Sequence, residues 1–190
     1  MRVIAGTAKG MHLDSVPGES TRPITDRAKE ALFAILGEDI RGATMLDLFG
    51  GTGAVGIEAL SRGAERVVFI ERSRAALKVL NRNLERTRLA DRGVVIHDDA
   101  FKFLAQPATM AFDVIFVAPP QYQGLWLKAL QLIDRQPAWL APEGQVIVQI
   151  HPKEYTEPGL AHLWRQDSRR YGSVQLDFYG RRVEAEVGHR

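Results

Sequence analysis

Four short runs of Val, Ile, Leu and Phe recur through the middle of the chain and constrain its fold more than any other feature. They lie at residues 45–49, 67–70, 94–96 and 114–117. Unbroken apolar runs of this length are typical of strands covered on both faces. The segments between them have helical spacing, most clearly Leu77, Leu80 and Leu84 after the N-cap candidate Ser73. Strand and helix in repeated alternation predict an α/β fold with parallel strands and right-handed crossovers.

The carboxyl-terminal part of the chain predicts strands without intervening helices. A fifth strand is expected at residues 145–150, after a turn built by Pro142, Glu143 and Gly144. Two further segments, 166–171 and 174–179, are separated by Gly172-Ser173. This spacing predicts an antiparallel hairpin at one edge of the sheet.

The first forty residues predict a small extension rather than another strand and helix unit. Short runs at residues 3–5 and 11–13 predict a hairpin, and a helix is expected from Thr25 to Leu36, ended by Gly37. We therefore divide the chain into an N-terminal extension at residues 1–40, a main domain at 41–182 and a polar tail at 183–190.

A glycine-rich turn follows the first apolar run directly. Gly51, Gly53 and Gly56 match the pattern G-x-G-x-x-G, in which glycines allow a tight turn and a close approach to a ligand. Glu71 ends the next strand about 20 residues further on, where a carboxylate accepts hydrogen bonds from ribose hydroxyls. The glycines alone would also suit close packing of helix on strand. Together with Glu71 they favour a cofactor that contains a nucleoside.

Acidic residues indicate which nucleoside to expect. A dinucleotide would place its pyrophosphate at the helix N-terminus, where the Asp47 carboxylate would compete with it. Asp47 instead suits an ammonium group, which the methionine end of S-adenosylmethionine carries. Asp98 or Asp99 offers an acceptor for the adenine amino group, although either would also serve as a helix N-cap. The predicted cofactor is S-adenosylmethionine, and its predicted contacts are Asp47, Phe49, Gly50, Gly51, Thr52, Gly53, Glu71, Arg72, Asp99 and Ala100.

The loop after the fourth apolar run holds the candidates for binding a substrate. Pro119 and Pro120 fix φ and remove donors, so the loop leaves the strand rigidly with carbonyl acceptors that suit an exocyclic amine. Tyr122 offers a ring on which a base can stack. The same residues also fit a proline-rich strand exit with Tyr122 in the core. The predicted catalytic residues are Ala118, Pro119, Pro120, Gln121 and Tyr122.

In these motifs the chain resembles the RsmD-type methyltransferases of 16S ribosomal RNA. The resemblance rests on residues 2–6, 21–27, 30–33, 46–53, 58–63 and 116–122. It implies the fold of class I S-adenosylmethionine-dependent methyltransferases, a Rossmann-like and mostly parallel sheet with an antiparallel C-terminal hairpin. It also implies methyl transfer to the exocyclic N2 of a guanine in 16S rRNA, with the small ribosomal subunit or its RNA as partner.

One part of the substrate loop departs from the family pattern. The family has Asp or Asn before the two prolines and an aromatic residue directly after them, whereas this chain has Ala118 and Gln121 there. In the family pattern the polar side chain accepts a hydrogen bond from the target amine. Losing one positioned acceptor typically costs a few kcal/mol of transition-state stabilisation. The chain is then a slower enzyme, with Gln121 or Tyr122 as partial substitutes, or a homologue that binds cofactor and RNA without catalysis.

Basic residues in the extension are the predicted RNA contacts. They are Arg2, Lys9, Arg22, Arg27 and Lys29. Contacts of this kind to phosphate position an RNA without recognising its sequence. The formal net charge of the chain is only +2, which excludes a uniformly basic protein but allows local basic surfaces.

What the chain lacks narrows the remaining classes. Cysteine is absent, which excludes disulfides, thiolate metal sites and a cysteine nucleophile, and the five histidines are scattered, so no metal is expected. The chain has no signal-peptide pattern and no apolar run near the roughly 18 residues that span a bilayer. A cytoplasmic monomer without a membrane partner is expected. A nicotinamide-dependent oxidoreductase stays open on the glycine pattern, although neither Asp47 nor the double-proline loop is expected there.

Overall fold

A computed structural model describes residues 1–18 and 23–183 and contains the predicted alternation of strands and helices. In this part of the chain the strands are β1 Thr44–Asp47, β2 Arg66–Glu71, β3 Gly93–His97, β4 Phe112–Val117, β5 Leu140–Ile150, β6 Leu163–Tyr171 and β7 Val174–Arg181. The α-helices are α1 Asp26–Leu36, α2 Ala54–Ser61, α3 Arg74–Arg86, α4 Ala100–Ala105 and α5 Leu125–Arg135. The N-cap expected for α3 is confirmed, since the Ser73 hydroxyl accepts a hydrogen bond from an amide of the first turn. Helix α1 begins at Asp26, and the Thr25 hydroxyl caps it in the same way.

The strands form one mixed sheet in the order β3-β2-β1-β4-β5-β7-β6. Strands β1 to β5 are parallel, and β7 runs antiparallel to both β5 and β6, which confirms the predicted C-terminal hairpin. The order reverses direction between β1 and β4. The loops that leave the carboxyl ends of these two strands therefore diverge around a crevice, where ligands bind in open parallel sheets.

The sheet buries apolar side chains on both faces. One face packs against α1, α2 and α3 through residues that include Leu32, Ile57 and Leu80. The other face packs against α4 and α5 through residues that include Leu104 and Leu130. This double covering explains why the central strands are continuous apolar runs instead of alternating ones.

The fifth strand begins earlier than its sequence indicates. In the structure β5 begins at Leu140, whereas the sequence pattern predicts that it begins at Gln145. Phe112 of β4 pairs with Leu140 and Val114 pairs with Gln145, so the ladder passes an irregularity that takes up the intervening residues. Pairing with β4 thus holds the segment with Pro142 and Gly144 in an extended conformation, although these two residues predict a turn.

The N-terminal extension packs on the same core as the main domain. Val3 donates its amide to the Met11 carbonyl at 2.9 Å and accepts from the Gly10 amide at 2.8 Å, which closes the predicted hairpin. Val3 and Leu13 are buried in the cluster that α1 and α2 share. The predicted polar tail falls almost wholly at 184–190, outside the described residues. Within residues 1–18 and 23–183, no helix combines the length and apolar character needed to cross a membrane.

Candidate functional site

Three glycines shape the turn between β1 and α2 for different reasons. Gly51 has a φ of +55°, and a Cβ there would meet nothing nearer than 4.0 Å, so this face of the turn is open to a ligand. A Cβ on Gly53 would lie 2.3 Å from Leu80, and one on Gly56 would lie 2.2 Å from the Phe69 ring. One glycine therefore leaves space, and the other two allow close packing against α3 and β2.

Glu71 lies across this turn at the end of β2. Its two carboxylate oxygens accept hydrogen bonds from the amides of Gly51 at 2.8 Å and Ser73 at 2.7 Å. These bonds fix the carboxylate at the edge of the crevice. Each oxygen keeps acceptor capacity for a further donor such as a ribose hydroxyl. The neighbouring Arg72 is exposed, and one of its guanidinium nitrogens lies 4.0 Å from the Asp99 carboxylate.

Asp47 is the buried charge of the site. Its side chain accepts a hydrogen bond from the Gly56 amide at 3.2 Å, and the residue is only 2% exposed. Burial raises the pKa of Asp47 well above its usual value, the Gly56 hydrogen bond opposes that shift, and the nearby charge of Glu71 adds to it. A cation would offset the same penalty. The position therefore fits the ammonium group of an amino acid ligand.

Asp99 serves as the N-cap of α4. One carboxylate oxygen accepts from the amides of Phe101 at 2.9 Å and Lys102 at 3.1 Å. The other oxygen lies 4.0 Å from an Arg72 nitrogen and is not used by the cap. Capping and ligand binding are therefore compatible roles for this residue. The rings of Phe49 and Phe101 meet edge to face with centroids 6.0 Å apart and wall this side of the crevice.

The structure brings all the predicted cofactor residues to one edge of the sheet. They follow the carboxyl ends of β1, β2 and β3, which are adjacent and parallel. Sequence reasoning missed Asn83, which is fully buried and donates from its side-chain amide to the Thr52 carbonyl at 2.9 Å and the Asp14 carbonyl at 3.1 Å. An Asn on the apolar face of α3, between Leu80 and Leu84, is the signal that could have identified it.

The loop after β4 lies directly beside the glycine turn, because β4 pairs with β1. Pro119 is buried and Ala118 packs against the core, so the start of the loop is held firmly. Gln121 is exposed, and Tyr122 is 65% exposed with a φ of +60°. Tyr122 is therefore outside the core, where its ring is available for stacking.

Glu154, which sequence reasoning also missed, ties this loop to the one that follows β5. One of its carboxylate oxygens accepts from the Tyr122 amide at 2.5 Å, and the other accepts from the His151 amide at 3.0 Å. The rings of Tyr122 and His151 lie 5.6 Å apart between centroids. The His-Pro-Lys-Glu sequence forms a capping box at residues 151–154, which is the only local signal for this turn.

A cleft opens beside this carboxylate. Its volume is about 300 Å³, and it is bordered by Tyr122, Trp126 and Leu127 on one side and by Lys153, Glu154 and Thr156 on the other. Trp126 itself is almost fully buried and stacks on Tyr155 at 6.2 Å. The cleft thus combines aromatic surface with one negative and one positive group.

The predicted RNA contacts do not all lie on the surface. Arg2, Lys9 and Arg27 are exposed on the extension, and Arg22 lies outside the described residues. Lys29 is buried, however: its ammonium donates to the Arg2 carbonyl at 2.8 Å and lies 3.4 Å from the Glu58 carboxylate. The structure corrects the assignment of Lys29 as an RNA contact, because this ammonium is already paired inside the protein.

The chain matches one protein family and is similar to curated proteins over most of its length. The family model described as "Conserved hypothetical protein 95" matches residues 1–180. The Ribosomal RNA small subunit methyltransferase D of Escherichia coli strain K12 is 34% identical over 186 residues, which cover 98% of this chain and 92% of that protein. The protein of the same name from Haemophilus influenzae is 36% identical over 151 residues, covering 78% of each chain.

Solved structures share the architecture. The structure of yhhF from Escherichia coli superposes with a TM-score of 0.85 at 34% identity, covering 97% of this chain and 99% of that one. An RNA methyltransferase from Salinibacter ruber was solved with S-adenosyl-L-homocysteine, and it superposes with a TM-score of 0.65 at 14% identity. The superposition covers 88% of this chain and 100% of that chain. The latter likeness concerns the fold alone.

Proposed function

The chain belongs to the Conserved hypothetical protein 95 family, and from that premise we propose that it is an enzyme that methylates ribosomal RNA with S-adenosylmethionine. The name of its relatives supports an rRNA of the small subunit as substrate. The acceptor atom is the exocyclic N2 of a guanine in 16S rRNA, as the sequence resemblance implies. One observation carries the proposal: the turn between β1 and α2 has an open face at Gly51, where a Cβ would meet nothing nearer than 4.0 Å. This opening lies beside the ends of β2 and β4, which carry Glu71 and the double-proline loop.

The residues at this opening fit S-adenosylmethionine. The buried Asp47 carboxylate would hold the ammonium of its methionine part, which offsets the cost of burying that charge. Glu71 would accept from the ribose hydroxyls, and Asp99 would accept from the adenine amino group with the oxygen that the helix cap leaves free. Phe49 contributes an aromatic wall, and Gly51 allows the backbone to approach the ligand. Arg72, Ala100 and the remaining residues of the glycine turn complete this set.

The protein's own part in the reaction is positioning. When bound, S-adenosylmethionine supplies an electrophilic methyl group, whose transfer to an amine breaks an S–C bond, forms an N–C bond and releases one proton. The Pro119 carbonyl would accept a hydrogen bond from the target amine and aim its nitrogen lone pair, while Tyr122 would stack on the base. Pro119, which is buried, and Pro120, which is half-buried, keep this geometry fixed because each proline ring restricts its own φ.

The Ala118 side chain supports a second candidate function. Since it cannot accept a hydrogen bond from the amine, a homologue that binds cofactor and RNA without methyl transfer is the alternative. The two functions differ in product and not in binding. Arg2, Lys9 and Arg27 would contact RNA phosphates under either function, and the chain would act in the cytoplasm as a monomer on the small subunit or its RNA.

Labelled methyl transfer tests the proposal. Purified protein is incubated with S-adenosylmethionine carrying a labelled methyl group and with either small subunits or 16S rRNA from cells that lack the enzyme. We expect label in one guanine, identified as N2-methylguanosine by mass spectrometry of digested RNA. Binding of S-adenosylhomocysteine without any transfer to either substrate would refute the enzyme and favour the binding homologue.

An Ala118→Asp variant tests the positioning account within the same assay. A carboxylate restored beside Pro119 should raise the transfer rate or leave it unchanged, because it adds an acceptor and removes none. Ala118→Leu serves as the matched control, since it adds volume at the same position without an acceptor. Titration with a nicotinamide cofactor tests the oxidoreductase alternative. We expect no binding, and binding would favour the oxidoreductase over the methyltransferase.

A further inference from the structure

The loop that would hold the target base has carboxylates on both flanks, and only on one flank does the proposed function leave a carboxylate without a role. Strand β4 lies between β1 and β5, so its loop has the glycine turn on one side and residues 151–154 on the other. On the glycine-turn side, Asp47 is buried and bonded to Gly56, and under the proposed function Asp47 and Glu71 bind the ammonium and the ribose of the cofactor. On the opposite side, Glu154 borders the open cleft and touches the loop through the Tyr122 amide. Glu154 is therefore the carboxylate available to a base that stacks on Tyr122.

This carboxylate is held in place before any substrate arrives. Each of its oxygens accepts one main-chain amide hydrogen bond, from Tyr122 and from His151, so the group cannot rotate freely. An ionised carboxylate has about four acceptor positions on its two oxygens, and these bonds use two of them. Each oxygen therefore keeps capacity to accept one further hydrogen bond. Preorganised acceptors of this kind need little rearrangement when donors bind.

Guanine presents the donors that match two adjacent acceptors. Its Watson–Crick edge carries the N1–H and the exocyclic N2 amine next to one another, and single-stranded bases are commonly recognised on this edge. Adenine instead presents a lone pair at N1, which a carboxylate repels. The cleft also supplies the exposed Tyr122 ring for stacking and the exposed Lys153 ammonium, which would contact a flanking phosphate.

We propose that Glu154 binds the Watson–Crick edge of the target guanine and selects guanine over other bases. The inference rests on the proposed function, since it concerns the base that the enzyme methylates. It assigns a specificity-determining role to a residue outside both the glycine turn and the double-proline loop. Glu154 also supplies the side-chain acceptor that Ala118 lacks.

A single-atom change in the substrate tests this role. Small-subunit RNA is prepared with either guanine or 2-aminopurine at the position that the wild-type protein methylates. 2-Aminopurine keeps the exocyclic amine, lacks the O6 of guanine and therefore has a lone pair at N1 in place of the hydrogen. We expect the wild-type protein to favour guanine in kcat/KM by at least about tenfold, since one charge-assisted hydrogen bond is lost and a repulsion replaces it.

The variant Glu154→Gln should weaken or remove the preference for guanine. Its side-chain NH₂ can donate to N1 of 2-aminopurine, while it opposes the N1–H of guanine, so the preference should fall by at least about tenfold. Glu157→Gln is the matched control, because Glu157 lies three residues away, bonds the Tyr155 hydroxyl and does not border the cleft. The control should keep the wild-type preference. Affinity for S-adenosylhomocysteine and thermal stability report whether the cofactor site and the fold are intact.

The outcomes separate this inference from the proposed function. A wild-type protein that methylates no guanine refutes the proposed function, and the role of Glu154 with it. A wild-type protein that uses both RNAs equally well refutes only the role of Glu154. So does a Glu154→Gln variant that slows both RNAs by the same factor, because that result assigns the residue to holding the loop. If Glu154→Gln does not fold, Glu154→Ala replaces it: a guanine preference lowered by at least about tenfold supports the inference, and an unchanged preference overturns it.

Discussion

Replacing Asp47 with Asn should make the protein more stable and weaken its binding of the cofactor. The amide has the same shape, and its oxygen can still accept the Gly56 hydrogen bond that the carboxylate accepts at 3.2 Å. What changes is the charge, which is buried and which no basic side chain of the described residues pairs with. The substitution therefore removes a desolvation penalty and, with it, the group that would bind an ammonium.

The size and pH dependence of the stability gain follow from the raised pKa of Asp47. A carboxyl whose pKa is higher in the folded state stabilises the fold fully below its unfolded value of about 3.8 and loses this contribution as pH rises through the folded value. The gain from Asn should thus be absent in acid and greatest in mild alkali. A buried group without a full set of partners costs about 1–3 kcal/mol. For a chain of this length, that corresponds to a rise in Tm of roughly 2–12 °C.

Thermal unfolding and calorimetry measure the two effects separately. Unfolding without ligand is followed from about pH 5 to about pH 8, and S-adenosylhomocysteine is titrated at the upper end, where losing a charge-assisted contact should weaken binding about 10- to 150-fold. Asp113→Asn is the control, because this exposed carboxylate bonds the Thr44 amide at 2.8 Å at the far end of β4. The reasoning is refuted if Asp47→Asn binds the ligand as tightly as wild type, or if it lowers Tm in mild alkali.

Two further predictions concern packing and the buried ion pair. Gly56→Ala should lower the free energy of unfolding by about 1–3 kcal/mol, because the added Cβ would lie 2.2 Å from the Phe69 ring. Urea denaturation measures this loss, and unchanged stability would contradict the close packing of α2 on β2. Lys29→Met should cost about 3–5 kcal/mol, since Glu58 would lose a buried partner, whereas Arg27→Gln should leave stability unchanged and weaken RNA binding at low salt. Loss of RNA affinity without loss of stability in Lys29→Met would restore Lys29 as a surface contact.

Local sequence was sufficient to predict which residues lie together around the glycine turn. The glycine turn and Glu71 each follow a strand directly, so their neighbourhood depends only on parallel pairing of β1 with β2. Lys29 shows where such reasoning fails: its burial depends on Glu58, which lies on another helix and carries the opposite charge inside the core. The role of Glu154 could not be predicted from local sequence either, because its contact with Tyr122 forms only when β4 and β5 pair. Tertiary pairing, which no local pattern encodes, decided both.

The fully buried Glu58 carboxylate gives the N-terminal segment a role beyond its basic surface. Glu58 accepts hydrogen bonds from the amides of Ile4 at 2.9 Å and Ala5 at 3.0 Å and contacts Lys29, all of which belong to the first forty residues. It lies in α2, the helix that begins after the glycine turn. A fragment starting at residue 41 would bury this charge with Arg62 alone. Truncation should therefore unfold α2, and its effect should not be limited to a lower RNA affinity. The shortened fragments would be prone to aggregate and unsuited to binding studies.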